Sequence, residues 1–132
     1  MNRQGWWRYL PVLAMMAVIF FLSSQPGDSF QLPDVPDIDK LLHSLVYGTL
    51  AATALFAVPV GFARRRPGMA AVLVVLFCLV YGISDEFHQS FVPGRTPSVW
   101  DLAADVLGAS LVSAAWYLLG RQGRQGWVRH AR

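Results

Sequence analysis

Four long apolar runs, separated by short polar breaks, organise this chain; they cover residues 6–22, 40–60, 69–91 and 99–119. A helix needs about 20 apolar residues to cross the hydrocarbon of a bilayer, fewer where aromatic or polar ends reach the interface. Each run therefore predicts a transmembrane helix. The first is short by that measure, but Trp6, Trp7 and Tyr9 supply an aromatic belt at its start. The third is apolar to residue 83 and amphipathic from there to Phe91, and Pro93-Gly94 stops it. Thr96 or Ser98 is placed to cap the fourth helix, and Pro97 suits its entry. Residues 23–38, rich in Pro, Asp, Ser and Gly, predict an irregular loop. Residues 61–68 predict a short basic turn joining the second and third helices as an antiparallel hairpin. Small residues on the second helix (Gly48, Ala51, Ala52) and the fourth (Ala103, Ala104, Gly108, Ala109, Ser110) let backbones approach closely in lipid. The expected fold class is all-α. It is a four-transmembrane-helix bundle over residues 1–120, followed by a basic tail over 121–132.

Composition agrees with this pattern. Of 132 residues, 55% are hydrophobic and only 14% charged, where a soluble domain is about a quarter charged. The first run could also be read as a signal peptide, because Arg3 and Arg8 precede an apolar core ending at Ser23 and Ser24. No A-x-A-like cleavage site follows, so the segment is taken as a retained helix. Cys78 is alone, which excludes an intramolecular disulfide and a cysteine-based zinc site; it reads as an inert buried residue.

Charge then orients the bundle. Arg3, Arg8, Arg64, Arg65, Arg66, Arg121, Arg124, Arg129 and Arg132 all fall on one side of a four-pass topology, and only Lys40 and Arg95 fall on the other. The positive-inside rule predicts that both termini are cytoplasmic. The net charge of +3 is then topological, with attraction to anionic membrane lipids as a side effect, and nucleic acid is not an expected partner. All eight carboxylates (Asp28, Asp34, Asp37, Asp39, Asp85, Glu86, Asp101 and Asp105) sort to the outer side, which that rule does not require.

Depth makes this sorting informative. Counting outward from Arg66 at 1.5 Å per residue, Asp85 lies roughly 28 Å along the third helix, near the far boundary of a core about 30 Å thick. Counting back from Arg121, Asp101 lies roughly 30 Å away and Asp105 roughly 24 Å. Asp39, His43 and Tyr47 share one face of the second helix; Tyr81, Asp85, His88 and Gln89 share one of the third; Asp101, Asp105 and Gly108 share one of the fourth. Ionisable groups facing lipid cost several kcal/mol, so the three stripes should face each other or a wet cavity. Structural readings compete at several positions. Asp101 suits a helix N-terminus, and Asp39 with Lys40 could be an interfacial pair. His43 or His88, taken singly, could be a packing residue. Asp85 and Glu86 oppose the dipole at the end of their helix, which favours a function or a cationic partner such as Arg95. Of the two, Glu86 is expected to be the more exposed. Asp28, Asp34 and Asp37 read as solvated loop charges.

The motifs Asp39-Lys40-x-x-His43-x-x-x-Tyr47, Asp85-Glu86-x-x-Gln89-x-Phe91-x-Pro93-Gly94-Arg95 and Ser98-x-x-Asp101, with Gly108, resemble the VanZ-like family over nearly the whole chain. The resemblance implies a small multi-pass protein of the bacterial cytoplasmic membrane and cell envelope. The family's best-known member is associated with teicoplanin (glycopeptide) resistance, and the family has no firmly assigned reaction. One position departs from the pattern: Asp105 stands where the family commonly has Asn, which adds negative charge unless it is protonated.

The first functional expectation is an outer-face pocket that binds or acts on a lipid-linked cell-wall precursor, a glycopeptide or another anionic surface ligand. Asp39, His43, Asp85 and Asp101 are its candidate catalytic residues, while Lys40, Tyr47, Glu86, His88, Gln89, Arg95 and Asp105 are its candidate ligand contacts. Arg95 would meet the anion through its planar donor fork. No cofactor or metal is assigned. Two alternatives stand beside this expectation. One is a metal-dependent membrane hydrolase using Asp39, His43, Asp85, His88 and Asp101 as ligands. The other is a transporter or partner subunit with the carboxylates as a cation relay, which with so few helices and no repeat would require homo-oligomerisation.

Overall fold

A computed structural model describes residues 5–29, 33 and 35–130, with side chains described as far as Arg121. Arg3, Asp34 and Arg132 lie outside the described residues, as do the side chains of Arg124 and Arg129. Every element among the described residues is helical. A single 3₁₀ turn, Trp6–Tyr9, leads into α1, Leu10–Ser23, with Pro11 in the first turn where no N–H is needed. There follow α2, Ile38–Ala57; a short α3, Val60–Arg65; α4, Pro67–Gln89; and α5, Val99–His130. Trp6–Ser23, Ile38–Ala57, Pro67–Gln89 and Val99–Arg121 are each long and apolar enough to span a membrane. The fold is an all-α bundle with four helices long and apolar enough to span a membrane.

Three boundaries differ from expectation, each for a local reason. The second helix stops at Ala57 because Pro59 forces Val58 into extended backbone, with φ −55° and ψ 133°. The basic turn at 61–68 contains α3, a short helix set between Pro59 and Pro67. The fourth helix runs past 119 to His130, through a stretch that holds Arg and Gln but no proline.

The closest pairing in the bundle is between α2 and α5. A β-carbon on Gly108 would lie 2.0 Å from the Ser44 carbonyl oxygen, so the two backbones touch there. One turn farther the fit is looser: a β-carbon on Gly48 would meet Val112 at 3.2 Å and the Gly108 carbonyl oxygen at 3.4 Å. The Ser44 hydroxyl donates to the Ala104 carbonyl at 2.8 Å across the same seam. Ala51, Ala104 and Ala109 are buried along it, whereas Ala52 and Ala103 are exposed. Glycine and alanine are what lets helices close up in lipid, where dispersion and hydrogen bonds replace the hydrophobic drive. The interior holds Tyr47, Leu50, Asp105, Cys78 and Ser113 as its largest fully buried side chains, while Phe20, Leu76, Val80 and Leu111 face outward. The core is mainly apolar, as in a soluble bundle, but the outer face is apolar as well and a few polar side chains are sealed inside.

Both ends of the bundle are tied by arginine. At the basic end, Arg8 lies over the Phe56 ring and donates from Nε and Nη2 to the Phe56 carbonyl, satisfying the C-terminal end of α2. At the opposite end the two loops touch. The Gly27 N–H donates to the Pro93 carbonyl at 3.1 Å, and a β-carbon on Gly27 would sit 1.8 Å from the Gly94 oxygen. Gly94 itself has φ +75°, a conformation that favours glycine.

The backbone contact at Gly108 gives a direct test. Gly108→Ala must push α2 and α5 apart, and should lower stability by about 2–3 kcal/mol as overpacking does. Ala103→Leu, on the exposed face of the same helix, should leave the thermal midpoint in detergent unchanged. Equal midpoints for both variants would show that the contact is not tight.

Candidate functional site

The polar residues gather at the loop end, where α1 and α4 finish and α2 and α5 begin. Asp85 is the organising group, 6% exposed. The Ser23 hydroxyl of α1 donates to its Oδ1. Its Oδ2 accepts from Tyr47 of α2 at 3.4 Å and from Gln89, one turn along α4, at 3.3 Å. Gln89 Nε2 also reaches Ser23 Oγ at 3.2 Å, so three helices close around one carboxylate. A buried carboxylate is tolerable only with such donors. Ser23 was not singled out from the sequence; its position at the polar end of the first run, at the depth estimated for Asp85, was the available signal.

His88 does not enter this network. It lies 3.0 Å from Ser24 Oγ and stacks on Phe20, with ring centroids 4.7 Å apart, so it serves the α1–α4 seam. Tyr81, deeper on α4, donates to the Met16 carbonyl of α1 at 2.7 Å. Lys40 turns to Asp39 at 3.1 Å and Asp37 at 3.7 Å, the interfacial pairing considered from the sequence.

A cavity of about 270 Å³ opens among α1, α2, α4 and the second loop. Asp39, His43, Tyr47, Asp85, Gln89 and Arg95 line it on the polar side, with Ile19, Leu22, Leu42 and Val46 as its apolar lining. Arg95 spends much of its fork on the protein. Its Nε donates to the Gln25 carbonyl at 3.1 Å and Nη2 to the Leu22 carbonyl at 3.0 Å, which clamps the second loop onto the end of α1.

Behind this cavity, His43 connects to a second cluster on α4 and α5. His43 Nδ1 lies 2.9 Å from Asp105 Oδ1, and Nε2 lies 3.9 Å from Asp101 Oδ2. Glu86 was expected to be exposed; it is 9% exposed instead, because its Oε2 accepts from the Ser98 N–H at 2.8 Å and holds the start of α5. One ligand atom each from His43, Glu86 and Asp105 lies within 4.8 Å of the others, the one group among the described residues placed to hold a metal ion. Asp39, His43, Asp85, His88 and Asp101 do not form such a group among the described residues. Gly82 leaves room for this corner: a β-carbon there would meet Leu102 at 2.9 Å and Asp105 Oδ2 at 3.3 Å.

The chain matches the family model described as VanZ/LLP1 over residues 8–120. It is also 39% identical over 101 residues to an uncharacterized protein of the fission yeast Schizosaccharomyces pombe. That match takes in 76% of this chain and 59% of the yeast protein, so the chain spans little more than half the length of that relative. No solved structure matches it.

The clamp at Arg95 can be measured. Arg95→Lys keeps the charge but cannot hold two carbonyls in one plane, and loss of one charge-assisted bond should cost about 2 kcal/mol. The expected readout is a lowered unfolding midpoint together with faster proteolysis within residues 24–37. A lysine variant with wild-type protection would show that the guanidinium fork is dispensable.

Proposed function

The chain belongs to the VanZ/LLP1 family, and from that membership and the loop-end cavity we propose that it binds the polar head of an amphiphilic, lipid-linked ligand. The observation that carries this reading is the lining of that cavity. Ile19, Leu22, Leu42 and Val46 suit an acyl or prenyl stem, while Asp39, His43, Asp85, Gln89 and Arg95 suit a polar head. Its volume of about 270 Å³ is near the lower limit of small-molecule sites, which fits a head group better than a whole lipid. Arg95 Nη1 is the nitrogen left for a phosphate or carboxylate once Nε and Nη2 are engaged. His43 and Asp39 are the groups positioned to exchange a proton with that head.

We place the arginine-rich end in the cytoplasm, from the sorting of charge, so that the cavity faces the outer leaflet. In a bacterial cytoplasmic membrane the ligand is then a lipid-linked precursor or a glycopeptide at the outer surface, and tolerance of teicoplanin-type drugs is the corresponding phenotype. The fission-yeast relative favours an amphiphile that both kinds of membrane could present.

Two measurements test this reading. Cys78 is buried at 0% exposure, so the chain offers little background to thiol reagents. Thr96→Cys should be labelled by an impermeant maleimide in intact cells, and Arg65→Cys only after lysis; the reverse pattern rejects the orientation. For the ligand, native mass spectrometry with phosphatidylglycerol and with a polyprenyl phosphate as probes should show retained lipid on the wild-type chain. Val46→Phe, which fills the apolar side of the cavity, should reduce retention about tenfold, the equivalent of 1.4 kcal/mol. Retention unchanged by Val46→Phe would place the lipid elsewhere.

A further inference from the structure

We propose that the chain holds a divalent metal ion between α2, α4 and α5, bound by His43, Glu86 and Asp105 with Asp101 at its edge. The site adjoins the proposed head-group cavity through His43 and does not rest on that reading.

The first argument is one of unmet bonds. Asp105 is fully buried, yet its Oδ2 has no hydrogen-bond partner. Glu86, with one oxygen on the Ser98 N–H, leaves Oε1 buried and without a partner; Asp101 leaves Oδ1 in the same condition. Glu86 and Asp105, grouped with His43, thus each carry a buried, unengaged oxygen, and Asp101 at the edge of the group carries a third. A buried acceptor left unsatisfied is costly, and two on carboxylates grouped with one histidine call for a shared partner.

The second argument is charge. Among the described residues no lysine or arginine forms an ion pair with Glu86, Asp101 or Asp105; His43 is the basic group in contact with the cluster, and Lys40 acts on Asp101 only from farther off. A divalent ion supplies the missing positive charge at one point. The third is distance. Two donors on one ion stand at most about 4.2 Å apart, twice a bond of about 2.1 Å. Donors on a tetrahedral ion stand closer, about 3.4 Å apart; the donor atoms of His43, Glu86 and Asp105 lie within 4.8 Å, so the widest pair has between about 0.6 and 1.4 Å to close. One imidazole among carboxylates suits zinc or manganese rather than Cu(I), which needs thiolate or thioether donors. Access is available from the cavity, which His43 also lines.

The role follows from the donors. Each of the three helices contributes at least one, so the ion would fix α2, α4 and α5 together behind the cavity wall.

The full-length chain in detergent, stripped with chelator and desalted after exposure to Zn²⁺ or Mn²⁺, should retain one equivalent by elemental analysis. Its thermal midpoint should rise with metal and fall again with chelator. Asp105→Asn and Glu86→Gln should each weaken retention tenfold or more, as loss of a ligand does, while Asp28→Asn in the exposed loop should not. Should either cluster variant misfold, the chelator-reversible midpoint of the wild-type chain decides the question. Retention below a tenth of an equivalent in the wild type, or equal retention in the folded cluster variants, would overturn the site. Loss of metal with lipid retention intact separates this proposal from the reading of the cavity.

Discussion

Where α2 meets α5, the Ser44 carbonyl occupies the space that a side chain on Gly108 would need. That backbone contact sets the register of everything above it. His43 precedes Ser44, and Asp105 lies one turn before Gly108, so closing the helices at the glycine brings the imidazole to 2.9 Å from the carboxylate. Gly82 on α4 does the equivalent service for a third helix, leaving the space that Leu102, Tyr47 and Asp105 fill. Small residues determine where the polar ones can meet.

Burial of charge is the cost of this arrangement, and the structure meets it in two different ways. Asp85 is surrounded by a hydroxyl from α1, a phenol from α2 and an amide from its own helix, so its oxygens are supplied. Glu86, Asp101 and Asp105 are supplied only in part, each with one oxygen left over. Neighbouring carboxylates on one turn of α4 thereby acquire unlike roles. Asp85 fastens α1 to α2 and shapes the cavity, while Glu86 anchors the start of α5 and faces the half-satisfied cluster.

Much of this was legible in the sequence because the membrane simplifies the problem. Four apolar runs dictate four spans, and helical rise alone places Asp85, Asp101 and Asp105 at one end. The three stripes were expected to face one another, and Tyr47–Asp85 and His43–Asp105 do so. What the pattern could not give was the choice of partner within that layer. Whether Arg95 meets an external anion or the carbonyls of Leu22 and Gln25 depends on where α1 ends relative to the second loop, which periodicity does not specify. Glu86 looked solvent-facing because the residue beside a buried carboxylate on a helix ordinarily points away from it. Its burial comes from the path of the chain at Ser98, a tertiary fact. Ser23 lay at the end of a run taken as a retained helix, where a serine reads as an interfacial end and not as a site residue.

The polar partners of the outer end of α1 are distant in the chain: Ser23 waits for Asp85, and the Leu22 carbonyl for an arginine 73 residues later. During synthesis at 5–20 residues per second, that arginine follows by about 4 to 15 s. Throughout that interval α1 has neither its clamp nor its α4 neighbours, and its apolar surface is suited to waiting in lipid. The apolar face of α1 can pack on α2 early, but its polar end is among the last parts of the bundle to be tied. A ribosome that pauses or terminates before Arg95 would leave α1 packed but unclamped, with the Leu22 and Gln25 carbonyls lacking their donors.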